Sequence, residues 1–275
     1  MTQRFIKTAV IGHPISHSKS PLIHNYWIEK YGLLGSYEAI DIPVDNLKQG
    51  AANIIKNGFS GFNVTIPHKI SIMEICDEID ELATNIGAVN TVSIRDGKLY
   101  GTNTDAYGFI ENIKCNIPDF DFTKGKAVIL GAGGAANAII YALLQEGVPE
   151  IIITNRTKDK AQKLTIFAPD KIQVVDWEKR DDALDNANLI VNTTSLGMSG
   201  SHPLELNLGK APKHALVTDI VYAPLVTNLL TQANERGLRT VTGIGMLLHQ
   251  ARPGFELWNG VMPEVTKDLE KMVLS

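Results

Sequence analysis

Residues 126–130 form a short apolar run that opens directly onto Gly131, Ala132, Gly133, Gly134, Ala135 and Ala136, and a helical stretch follows before another apolar run begins at Glu150. A strand, a glycine turn and a helix in that order leave few folds open. The glycines permit the tight turn and let a phosphate approach the free N–H groups at the helix start. The spacing fits G-x-G-x-x-G/A, with Ala136 at the third small position. Further apolar runs at 150–154, 172–175, 189–192, 216–221 and 240–242 bring the candidate strands to six, most of them separated by helical stretches. Six is the strand number of a doubly wound dinucleotide-binding sheet. The uncharged stretch 127–144 is long enough to suggest a membrane span, but its glycines and Asn137 fit a buried strand, a turn and a packed helix instead.

The end of the second strand of this series decides the cofactor. An NAD enzyme usually places Asp or Glu there to take the ribose 2′-hydroxyl, whereas this chain has Asn155, Arg156 and Thr157. Arg156 offers a planar, permanently charged fork suited to a phosphate, and Lys160 adds charge one turn on. The expected cofactor is therefore NADP.

A chain of 275 residues has room for a second domain. In its first hundred residues, strands are expected at 8–11, 36–40, 61–66, 90–95 and 98–101, with helices over 21–31 and 44–56. Asp96-Gly97 between the last two strands is a strong two-residue hairpin signal. Alternating runs of this kind describe an α/β protein with mostly parallel sheets. After Gly243 the chain turns helical again, to Gln250 and from 263 to 273, and this excess is expected to pack back on the first domain. The division expected is 1–105, with 243–275 returning to it, and 106–242.

Other classes are disfavoured. A net charge of −4 supplies no basic field for nucleic acid or anionic lipid, so partners of both kinds are excluded in favour of a small molecule. The two cysteines, Cys76 and Cys115, match no disulfide framework or zinc spacing, and Pro14 keeps His13 and His17 off one helical face, so no metal is expected. The polar start, residues 1–7, has no secretory pattern, which makes a cytoplasmic location the default expectation. Neither a G-x-S-x-G elbow nor a Walker loop occurs.

Three polar clusters abut apolar strands in the first domain: Asn63 to Lys69, Asn90-Thr91 and Asn103-Thr104-Asp105. With them, Gly12 through Asn25 with His17-Ser18-Lys19-Ser20-Pro21 at its centre, Gly87-Ala88-Val89, Gly131 to Ala135, Asn155-Arg156-Thr157, Asn192 to Met198, Asp219 to Pro224, and Gly245-Met246-Leu247 with Gln250 complete a series of blocks running from residue 12 to 250. In these blocks the chain resembles the shikimate dehydrogenases, which interconvert 3-dehydroshikimate and shikimate with NADPH. The resemblance implies an N-terminal α/β substrate domain, a Rossmann-type doubly wound NADP-binding domain, and C-terminal helices returning to the first. It implies Lys69 and Asp105 as the catalytic pair, with Ser18, Ser20, Asn63, Thr65, Asn90, Tyr222 and Gln250 lining the substrate site. Around the dinucleotide it adds Thr193, Ser195, Met198, Ile220, Gly243 and Met246 to Gly131 through Ala135, Asn155, Arg156, Thr157 and Lys160.

The residue types suit that chemistry. Oxidising a secondary alcohol requires a group that removes the hydroxyl proton as hydride leaves, and one lysine amine serves both directions. A set of hydroxyls and amides suits a polyol, because an analogue lacking one hydroxyl leaves a site group unsatisfied. Ser20 before Pro21 also fits a helix cap. Two alternatives stay open: a quinate or dual-specificity dehydrogenase, and a non-catalytic NADPH-binding regulator. Hinges near Asp105 and Gly243, and a monomer or homodimer, complete the expectation.

Overall fold

The structure, a computed structural model, describes residues 4–275; Met1, Thr2 and Gln3, which open the polar start read above, lie outside the described residues. It divides into two compact units. One runs to Asp105 and includes Leu248–Ser275; the other is Ala106–Leu247.

In the first unit, β1 (Ile6–Gly12), α1 (Ser20–Lys30), β2 (Gly35–Asp41), α2 (Leu47–Lys56), β3 (Gly61–Val64), β4 (Glu78–Ile79), α3 (Glu81–Ile86), β5 (Thr91–Arg95) and β6 (Lys98–Thr102) build one sheet ordered β2-β1-β3-β5-β6-β4. β1 runs parallel to β2 and β3, while β3, β5 and β6 pair antiparallel. β4 runs parallel to β6, so the sheet is mixed with three of its five pairings parallel, within the mostly parallel pattern that the alternation of runs predicts. The hairpin is the local cause of the antiparallel β5-β6 pair: Asp96 and Gly97 have φ of 51° and 75°, the left-handed pair that a two-residue turn needs to reverse the chain at once.

Boundaries shift for physical reasons. The predicted strand 61–66 stops at Val64, ahead of Pro67, which has no N–H to give a ladder. The predicted helix 44–56 begins as a 3-10 turn, Val44–Asn46, before α2. Lys19 rather than Ser20 is the N-cap of α1, with Pro21 in its first turn, so Ser20 is left for other work. The core under α2 gathers Ile11, Ile54, Phe62, Val64, Ile72 and Val92, all buried.

α4 (Asp105–Asn116) leads into the second unit, where β7 (Lys126–Leu130), α5 (Gly134–Gln145), β8 (Ile151–Thr154), α6 (Lys158–Lys163), β9 (Ile172–Val175), β10 (Ala187–Asn192), β11 (Leu216–Asp219), α7 (Asn228–Glu235) and β12 (Arg239–Val241) follow. All six strands are parallel, in the order β12-β11-β10-β7-β8-β9. The order reverses between β7 and β10, the switch point at whose carboxyl end such sheets bind ligands. Residues 127–130 and the whole of β10 are buried, as strands covered on both faces require.

The division between the units falls inside α8 (Ile244–Asn259), and α9 (Lys267–Leu274) closes the chain. Within the first unit the returning segment is tied down by two buried indoles. Trp258 Nε1 donates to Val92 O at 3.2 Å, and Trp27 Nε1 donates to Glu264 O at 3.0 Å. A Cβ on Gly61 would stand 2.1 Å from Trp258 Nε1, so β3 admits that ring only because residue 61 has no side chain. Among the described residues no helix is long and apolar enough to cross a membrane.

Candidate active site

The centre of the first unit is a closed network of polar side chains. Lys69 lies in the turn after β3, its carbonyl pinned by Val89 N–H at 2.8 Å, and its Nζ donates to Asp105 Oδ2 at 2.5 Å. Asp105 heads α4, where a carboxylate favours the positive end of the helix dipole, and its own N–H donates to Asn103 Oδ1 at 2.9 Å. The lysine side chain is 17% exposed and the aspartate 7%, so the pair is shielded but reachable on the amine side.

Asn90, just before β5, organises the rest. Its Nδ2 donates to Asp105 Oδ1 at 2.9 Å and to Thr104 Oγ1 at 3.0 Å, with Gln250 Oε1 at 3.3 Å. Its Oδ1 accepts from Thr104 N–H at 2.8 Å and from the Thr91 hydroxyl at 3.0 Å. Both carboxylate oxygens of Asp105 are therefore engaged, one by the amine and one by the amide. That fixes the plane of the carboxylate and hence the direction from which Lys69 Nζ is held.

A second arm extends from β3. Asn63 Nδ2 donates to Thr91 Oγ1 at 2.9 Å and to Asn90 O at 3.2 Å, while its Oδ1 accepts from Tyr37 Oη at 2.6 Å. Ser18 Oγ accepts from Ser20 N–H at 3.3 Å. Thr65 sits at the end of β3 with its methyl against Gly12, where a Cβ would come within 2.6 Å. Ser18, Ser20, Asn63, Thr65, Lys69, Asn90, Asp105 and Gln250 are thus all elements of this unit; hydrogen bonds join Asn63, Lys69, Asn90, Asp105 and Gln250 into one network, and Ser18 meets Ser20 at the start of α1.

The second unit presents a different kind of site. Gly131 follows β7 with φ of 115°, and a Cβ there would strike Thr193 Oγ1 at 2.5 Å; only glycine fits. Gly133 and Gly134 meet no protein atom within 4 Å of an added Cβ, so packing does not demand them. What they leave open is the start of α5, whose N-cap, Gly133, offers no side-chain hydrogen bond to the first-turn N–H groups. A side chain at either glycine, or beside Ala132 and Ala135, would occupy the space a pyrophosphate needs. The turn therefore fits a dinucleotide.

Arg156 and Lys160 lie just past β8, both exposed and without an ion-pair partner among the described residues, while Asn155 Nδ2 donates to Thr157 O at 2.8 Å and shapes the turn. Lys158, between them, is already taken by Asp176. Thr193 is fixed by its hydroxyl to Leu130 O at 2.9 Å, Ser195 is exposed beside it, and Met198 is 46% exposed. Ile220 N–H donates to Asn192 O at 3.1 Å, and Gly243 lies so close to Ile220 O that a Cβ would approach to 2.5 Å. Met246 is buried in α8, and Tyr222 is half-buried in the turn after β11.

Sequence reading missed two organisers. Tyr37 is one: its only signal is a large aromatic on the inward face of a strand, which needs a partner for its hydroxyl once buried. Asp219 is the other. Buried at the end of β11, it accepts from Asn192 Nδ2 at 2.9 Å, Val221 N–H at 3.0 Å and the Thr227 hydroxyl at 2.8 Å, and so ties the ends of two strands to the Tyr222 turn. Burial raises its pKa above the usual carboxylate range, opposed by those hydrogen bonds.

Known proteins share this arrangement. Residues 10–92 match the shikimate dehydrogenase substrate binding domain, 114–220 the shikimate / quinate 5-dehydrogenase family, and 243–272 the shikimate 5′-dehydrogenase C-terminal domain. The shikimate dehydrogenase (NADP(+)) of Paramagnetospirillum magneticum is 47% identical over 267 residues, 97% of each chain. The Thermus thermophilus shikimate 5-dehydrogenase, solved in complex with NADP(H) and shikimate, superposes with a TM-score of 0.88 at 36% identity over 98% of each chain. The quinate dehydrogenase of Corynebacterium glutamicum, in complex with NAD, gives a TM-score of 0.90 at 31% identity, covering 98% of this chain and 99% of that one.

Proposed function

The chain belongs to the shikimate dehydrogenase family, and from that premise we propose that Lys69 and Asp105 carry the proton transfer in its NADP-dependent interconversion of 3-dehydroshikimate and shikimate. This oxidoreductase reaction is a step of aromatic amino-acid biosynthesis. The chemistry that NADPH supplies when bound is hydride delivery to the carbonyl carbon.

Lys69 Nζ gives a proton to the carbonyl oxygen as that carbon is reduced and takes it from the hydroxyl in the reverse direction. Its partial exposure lets the amine exchange the proton with water between turnovers. Asp105 Oδ2 orients the amine, and Asn90 holds Oδ1 so that the carboxylate cannot turn away. Ser18, Ser20, Asn63, Thr65, Asn90, Gln250 and Tyr222 take the substrate hydroxyls and carboxylate. Gly131 through Ala135 receive the pyrophosphate, Asn155, Arg156, Thr157 and Lys160 the 2′-phosphate, and Thr193, Ser195, Met198, Ile220, Gly243 and Met246 the rest of the dinucleotide. A cytoplasmic enzyme acting as a monomer or homodimer belongs to the same reading; light scattering reports its mass.

The observation that carries the proposal is the 2.5 Å contact between Lys69 and Asp105, closed from behind by Asn90. Its test is an oxidation assay pairing shikimate or quinate with NADP or NAD, run on the wild type and on Lys69→Ala. Strong turnover is expected only with shikimate and NADP, and Lys69→Ala is expected to lower it about 10²- to 10⁴-fold while shikimate still binds. Near-normal turnover by the variant would refute the assignment. Comparable turnover of quinate would instead make the enzyme dual-specific.

A further inference from the structure

Asn63 is a weak point of the site as described, because a primary amide can flip end for end and exchange its donor and acceptor faces. Asn90 O, which can only accept, decides which end of the amide is Nδ2, and Tyr37 holds the other end. This tyrosine is held at two levels by one helix, α1. Asn25 takes both of its backbone groups, with Tyr37 N–H donating to Oδ1 at 2.9 Å and Nδ2 donating to Tyr37 O at 2.8 Å. The His24 ring lies flat on its ring, 4.0 Å between centroids and 7° between planes.

The Tyr37 hydroxyl has one proton, and at 2.6 Å it goes to Asn63 Oδ1. The Asn63 Nδ2 hydrogens face Thr91 Oγ1 and Asn90 O, so both ends of the buried amide are held. We infer that Tyr37 is a positioning residue for the substrate site, holding the Asn63 side chain in place through its Oδ1. The inference rests on the reading of Asn63 as a substrate ligand, and it assigns Tyr37 no contact with substrate.

Tyr37→Phe keeps the ring that His24 stacks on and removes only the hydroxyl. It is expected to raise KM for shikimate about tenfold, with KM for NADP unchanged, since a buried amide oxygen loses its partner and the ordered face of the site is lost. In an Asn63→Ala background the same substitution is expected to change KM less than about twofold, because the group it acts through is gone. A full tenfold effect persisting there would mean that Tyr37 acts by packing, which overturns the inference. So would an unchanged KM in Tyr37→Phe while Asn63→Ala alone is impaired. Unchanged KM in Asn63→Ala would overturn the substrate role of Asn63 and the inference with it.

Discussion

The two units solve their recognition problems with different materials. In the second, the site is mostly backbone: a glycine turn, a helix start without a side-chain cap, and one exposed arginine beyond the next strand. In the first it is almost all side chain, a buried network of amides, hydroxyls and one ion pair drawn from segments as far apart as Asn90 and Gln250. Backbone N–H groups at a helix start recognise charge and need only space. A polyhydroxylated ring needs donors and acceptors in a fixed arrangement, and only interlocked side chains supply one.

The contrast can be broken at its most vulnerable point first. Asp105→Asn keeps the shape of the network but leaves Lys69 facing an amide in place of a carboxylate, so kcat should fall about 10²- to 10⁴-fold with KM for NADP unchanged; steady-state kinetics in both directions measures it. Arg156→Ala, on the backbone-built side, removes one charged partner and leaves the turn intact. KM for NADP should rise about 10- to 100-fold while KM for NAD hardly moves, and equal effects on the two would refute the 2′-phosphate assignment.

The smallest effect sharpens the comparison through acid. His24 is buried without a hydrogen-bond partner for either ring nitrogen, and burial lowers its pKa from 6.5 to about 3. The unfolded chain therefore binds that proton more readily, so the stability it reflects is complete above about pH 6.5 and is lost as pH falls toward about 3, by about 1.4 kcal/mol per pH unit. Asp219 in the other unit has the opposite sign. Its raised pKa means that burying the carboxylate costs stability above that value, and the cost is relieved as pH falls. Denaturant unfolding at stepped pH, with His24→Phe beside the wild type, should show the wild-type slope below pH 6.5 reduced in the variant.

The same division explains what could be read in the chain. The glycine turn, the hairpin at Asp96-Gly97 and the strands of the second sheet are local patterns of periodicity and turn chemistry. The strand order of that sheet was legible only through the resemblance that the spacing supports. β4 has two residues and α3 six, too few for a periodic signal, although Asp80 accepting from Ala83 N–H and Gly87 at φ of 71° are cap residues visible in hindsight. α4 went unpredicted because its head is a polar cluster whose pattern resembles a loop. Lys69 in isolation reads as a solvated lysine; its partner lies 36 residues on, and nothing in the spacing of either reveals the pair. Tyr37 and Asn63, 26 residues apart, escape for the same reason.

β2 is the outer strand of its sheet, and an outer strand with free N–H and C=O groups is a template on which another chain can add itself. The side-chain amide of Asn25 fills that template midway along β2, pairing with Tyr37 as a neighbouring strand would. The residue that steadies the tyrosine from behind thus also guards the sheet against growth, and protection from aggregation is built into the same few atoms as the support of the site.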